Sequence, residues 1–139
     1  MVTPILKYED METLQELIRK LRKAGTKSDA TRGCGVHIHI GAKGHTPQTM
    51  RNLANIMASH ESLIAEALDL DRGRMRRYCR TVDPRFLEQV NKKKPKTMSK
   101  LADIWYGSQD CSYGRNQHYN DSRYHMLNLH ATFTKGTVE

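Results

Sequence analysis

His37 and His39 stand at alternate positions in the stretch Gly33-Cys34-Gly35-Val36-His37-Ile38-His39-Ile40-Gly41. Val36, Ile38 and Ile40 interleave with them, the period of a strand with an apolar side and an imidazole side. Side chains two apart on a strand start roughly 6 to 7 Å from each other. Imidazoles at that spacing can converge on one metal ion, or contact an ion and the phosphate bound to it. The bland alternative is a pair of polar side chains on a wet sheet face. The flanking glycines favour a site, because a residue without Cβ lets a ligand come close to the backbone. Metal identity turns on the remaining ligands. Zinc takes imidazole readily, and His125 or His130 would complete a set of three with water in the fourth position. Magnesium or manganese wants oxygens, and the strand-borne Glu139 is the carboxylate for that case.

A second dense region runs Asp121-Ser122-Arg123-Tyr124-His125-Met126-Leu127-Asn128-Leu129-His130. Arg123 can hold a carboxylate or phosphate through two parallel hydrogen bonds, or pair with Asp121 or Asp103. Asn128 can orient a substrate with a donor and an acceptor together, or sit as a polar side chain on an open sheet face. Tyr124 packs beside them. Lys135, in a presumed turn, can neutralise transferring phosphate oxygens or simply be exposed. Cys34 reads as buried and structural. No serine or cysteine is set with a histidine and an acid as a covalent nucleophile. GxxxxGK[ST] and GxGxxG are both missing, so a nucleotide site here would be neither a P-loop nor a Rossmann crevice.

The elements that must position these groups follow from periodicity and punctuation. Asp10 caps a helix over about Met11–Ala24, with Leu14, Leu17, Ile18 and Leu21 as its apolar stripe and Gly25 past its end. The histidine strand comes next. Thr46-Pro47 opens a helix to about Leu68, with Leu53, Ile56, Met57, Leu63, Ile64 and Ala67 as its buried side. Residues 69–80 read as a charged connection. Asp83-Pro84 starts a short helix to about Asn91, and Thr97 caps another through Trp105 that ends near Gly107. Ser108–Asp121 reads as a long polar loop. Arg123–Phe133 reads as extended, with Leu127, Leu129, Ala131 and Phe133 on one side and Asn128, His130 and Thr132 on the other. Thr134-Lys135-Gly136 turns the chain into a strand beginning at Thr137. Helices backing one face of an antiparallel sheet make an α+β layer.

The 139 residues bound the chain to one domain or part of one, and a part is the expectation. No apolar run is long enough for a membrane span, and no signal-peptide pattern opens the chain. Three widely spaced cysteines, Cys34, Cys79 and Cys111, give neither a disulfide framework nor a thiolate zinc site, so a reducing, cytoplasmic setting is the default. The net charge of +8 gathers at Arg72, Arg74, Arg76, Arg77 and Arg80 and at Lys92, Lys93, Lys94, Lys96 and Lys100. That balance favours anionic partners: a nucleotide, an acidic substrate or nucleic acid.

Gly35-Val36-His37-Ile38-His39-Ile40, Ser122-Arg123-Tyr124 with Leu127-Asn128-Leu129, and Gly136-Thr137-Val138-Glu139, in that order, resemble the amidoligase family. That family is a branch of the glutamine synthetase and glutamate–cysteine ligase superfamily. The resemblance covers nearly all of this chain but only the middle and later part of the family's domain. It implies a glutamine synthetase-like antiparallel sheet, curved, with catalytic groups on the concave face and helices behind. It implies ATP-dependent joining of a small-molecule or peptide carboxylate to an amine, with magnesium or manganese, through an acyl phosphate. By position His37, His39 and Glu139 match metal ligands. His39 and Arg123 match ATP- or phosphate-contacting residues. Arg123, Asn128 and Lys135 fall to the catalytic set.

One departure matters. Family members carry an early Glu-x-Glu strand, whereas here Tyr8-Glu9-Asp10 leads straight into a helix. One glutamate and two histidines are a poor set for magnesium, so the chain by itself is expected to be inactive or very weak. Three readings follow: an ATP-dependent carbon–nitrogen ligase or a fragment of one; a catalytically inactive binding module of the same fold, its open sheet edges completed by a partner or a second copy; and a basic nucleic-acid-binding protein.

Overall fold

The computed structural model describes residues 1–29, 33–109 and 114–139. Cys111 and parts of the two loops read from sequence, at 30–32 and 110–113, lie outside the described residues. The chain divides into two compact units, Met1–Gly35 and Val36–Glu139.

In the first unit a 3-10 turn at Tyr8–Asp10 runs into helix α1, Met11–Lys23. Asp10 accepts from the main chain of Lys7 at 2.8 Å, so its carboxylate closes the preceding turn rather than capping α1. The far end matches the glycine signal. Gly25 has φ +87°, Gly25 N–H reaches Arg22 O and Thr26 N–H reaches Leu21 O, a paired closure that satisfies the last carbonyls. No residue of α1 is buried, and Leu17 and Ile18 of its apolar stripe are exposed.

The second unit contains, among the described residues, strand β1 (Ile40–Gly41), helices α2 (Pro47–Ala67), α3 (Arg72–Arg77), α4 (Pro84–Lys93), α5 (Met98–Ser108) and α6 (His130–Lys135), and strand β2 (Thr137–Val138). Its helix starts are chemical. Thr46, Asp71, Asp83 and Thr97 each accept a main-chain N–H of the first turn of α2, α3, α4 and α5. Met50 and Ala54 from α2, Phe86 and Val90 from α4, and Leu101, Ile104 and Trp105 from α5 build the core. Phe86 meets Trp105 edge to face at 4.8 Å. Asn55 and Asn91 exchange two amide hydrogen bonds, 3.0 and 2.9 Å, and lock α2 to α4.

Several expectations are corrected. The fold is a mostly helical α+β arrangement whose sheet, among the described residues, is two short antiparallel strands. Among the described residues, the histidine stretch is paired as strand only at 40–41, against Thr137 and Val138 of β2. Cys34 is exposed, not buried. Residues 72–77 form a helix. The buried side of α2 is the row Met50, Ala54 and Glu61 with Leu53 and Met57 beside it, while Ile56 and Leu63 face outward. Arg123–Phe133 is not a strand. A 3-10 turn at Asp121–Arg123 and a single parallel bridge, Arg80 to His125, lead into α6. The cause is local: Asn128 Oδ1 accepts from Ala131 N–H at 3.1 Å and turns the chain into a helix. Both alternating sets, from Leu127 to Thr132, are therefore buried, so Asn128 is not on an open face. Lys135 ends α6, and Gly136, at φ +69°, makes the turn after it.

Candidate functional site

The β1–β2 register places Ile40 opposite Val138 and Gly41 opposite Thr137. One step further along the same antiparallel pairing sets His39 level with Glu139, and opposed residues share a face. The side chains obey that geometry. His37 Nδ1 hydrogen-bonds Glu139 Oε1. His39 Nδ1 lies 3.1 Å from Thr137 Oγ1, and its Nε2 lies 3.8 Å from Glu139 Oε2. Asn128 closes the other side, its amide donating to Glu139 Oε2 at 2.6 Å. The main chains of Asn128 and Glu139 bond as well, N–H to carbonyl at 2.7 Å.

Burial pushes the Glu139 carboxyl upward, but the His37 hydrogen bond, the charges of His39 and His37 and the Asn128 amide outweigh it and hold the group below its usual value. Glu139 is thus an anion with both oxygens already engaged.

Behind it lies a cavity of about 160 Å³, walled by Arg123, Asn128, His130, Lys135 and Glu139 with Asn116 and His118. The three residues read from sequence as a catalytic set, Arg123, Asn128 and Lys135, meet here although they come from a 3-10 turn, a buried linker and a helix end. Arg123 Nη1 donates to His118 O at 2.8 Å, while Asp103 pairs with Arg115 at 2.6 Å. His130 Nδ1 is 2.8 Å from Tyr106 Oη. Burial pushes the His130 imidazole below its ordinary value. Sequence pattern does not mark Asn116, His118 or Tyr106: the first two lie in the polar-rich loop before Asp121, and Tyr106 reads only as a residue of α5.

His125 serves the core instead. Its Nδ1–H donates to Thr81 O at 2.8 Å, its ring stands edge-on to Trp105 at 5.6 Å, and burial holds its basicity low. The zinc alternative therefore finds no third imidazole: among the described residues, no three His, Cys, Asp or Glu side chains are set to hold a metal ion. One carboxylate whose oxygens are taken by His37 and Asn128 does not fit a magnesium site either.

The chain belongs to the family described as "Putative amidoligase enzyme", which it matches over residues 1–139. No curated protein and no solved structure matches it. Among the described residues, no helix is long and apolar enough to cross a membrane.

Proposed function

We propose that this chain supplies the acyl-group pocket of an ATP-dependent carboxylate–amine ligase of glutamine synthetase-like type. The observation that carries the reading is the convergence of Arg123, Asn128, Lys135 and Glu139 on one small cavity. Two cations and an amide donor can hold the oxygens of a carboxylate or phosphate. In the reaction this reading implies, a carboxylate oxygen attacks the terminal phosphorus of ATP and ADP leaves. An amine then displaces phosphate from the acyl phosphate and loses a proton. ATP and magnesium or manganese belong to that reading by family resemblance, with His39 and Arg123 on the phosphate side; His37, His39 and Glu139 would hold the ion only if further oxygen ligands joined them. By themselves these residues make a poor magnesium cage. The same poverty favours the second reading, a catalytically inactive binding module of the same fold.

Calorimetry with ATP and magnesium, beside a coupled assay for ADP release with candidate acids and amines, tests this. The expected result is ATP binding that weakens about tenfold or more on Arg123→Ala and is lost on replacing His37 and His39. Turnover by the chain alone should be weak or missing. Brisk turnover overturns the inactive-module reading, and ATP binding indifferent to all three residues overturns the ligase reading.

A further inference from the structure

A line of cationic and aromatic side chains runs from α3 to the cavity, and of it the pocket chemistry uses Arg123 alone. Arg74 and Arg77 each place a guanidinium 5.1 Å from the centre of the Tyr78 ring. Tyr78 meets Tyr124 edge to face at 5.7 Å. Arg123 lies 5.7 Å from the Tyr124 ring and 5.8 Å from the Tyr119 ring, and Tyr119 stands edge-on to His118 at 4.7 Å. Arg123 and His118 also wall the cavity, so the line is continuous with it.

The α3 end is exposed and basic. Arg72, Arg76 and Arg77 are exposed, and Tyr119 at the other end is 63% exposed. Among the described residues, none of Arg72, Arg74, Arg76 and Arg77 is ion-paired. The nearby Asp71 is occupied in capping α3 through Arg74 N–H. Arg80 differs: it points inward, donating to Tyr124 O at 3.2 Å and Asp121 O at 2.6 Å, and so fixes Tyr124 beside Tyr78.

Uncompensated guanidinium groups neutralise phosphates, and exposed rings and guanidinium planes accept bases by stacking. An acidic peptide would use the charges and leave the rings idle. A duplex keeps its bases stacked inside. We propose that this track binds single-stranded nucleic acid, laid from α3 toward the cavity. The proposal is independent of the ligase reading.

Fluorescence anisotropy of a labelled single-stranded oligonucleotide of about a dozen nucleotides, titrated with the full chain at several salt concentrations, tests it. Neutralising about three or four phosphates gives a log–log salt slope of about −2 to −3. Arg76→Glu with Arg77→Glu should weaken binding tenfold or more and flatten that slope. Tyr119→Ala should cost about tenfold at an unchanged slope. Lys92→Glu with Lys93→Glu, an equal change of net charge on α4, should cost clearly less than the arginine pair. Circular dichroism confirms that each variant is folded. The proposal is overturned if the two charge pairs weaken binding equally, if binding ignores salt, or if poly-glutamate or a duplex of the same length binds as tightly. ATP binding and ADP release are read on other ligands, so either proposal can fail alone.

Discussion

Asn128 holds Glu139 twice, by its side-chain amide at 2.6 Å and by its main-chain N–H at 2.7 Å. The same side chain gives its oxygen to Ala131 N–H. One amide therefore starts α6 and aims the carboxylate that faces His37. Aspartate could still accept from Ala131 N–H but lacks the donor that holds the carboxylate, and alanine lacks both groups.

Asn128→Ala should leave the Glu139 carboxylate and the Ala131 N–H without these partners. A loss of roughly 1–3 kcal/mol in urea unfolding is expected. Wild-type stability in that variant would mean that the two side-chain hydrogen bonds of Asn128 contribute nothing.

Glu139 sets an acid limit. Its folded pKa lies below the unfolded value of about 4.3, so the unfolded chain takes up the proton first as pH falls. Its contribution is complete above that unfolded value and is lost as pH falls through the folded one. Urea midpoints measured from pH 6 downward should drop in that window, and Glu139→Gln should flatten the drop.

His125 and His130 act at milder acidity. Burial holds both below the unfolded value of about 6.5, so stability is full above it and declines as pH falls beneath it. The midpoint should fall between pH 7 and 5. His125→Phe keeps a ring against Trp105 and should remove part of that slope; an unchanged slope would place the titrating group elsewhere.

Glu61 has the opposite sign. It is 3% exposed, and both its oxygens accept from Val82 N–H. Burial raises its pKa against the lowering effect of that bond, so its ionisation works against folding as pH rises through the folded value. Glu61→Gln keeps an acceptor without the charge and should be neutral or slightly stabilising near pH 7. Glu61→Leu strands the Val82 N–H and should cost roughly 1–3 kcal/mol. Thermal unfolding of both variants separates the charge from the hydrogen bond.

Helices were legible wherever a cap and an apolar row agreed. Thr46, Asp83 and Thr97 marked α2, α4 and α5 because their side chains satisfy first-turn N–H groups within the local sequence. The row chosen for α2 was rotated from the true one, because a buried Glu61 bonded to Val82 does not look apolar in a sequence. Leu127–Phe133 alternates as a strand would, yet Asn128 redirects it into α6 through one local bond.

The order and types of the residues determined the starts of α2, α4 and α5, the glycine turns at Gly25 and Gly136, and the basic character of 72–100, since each depends on neighbours a few positions away. Only the tertiary structure decided that Glu139 faces His37 and that Arg123, Asn128 and Lys135 share a cavity. Those meetings join residues as many as 102 positions apart, as between His37 and Glu139. They depend on the β1–β2 register and on the burial of α6, which local preference does not encode.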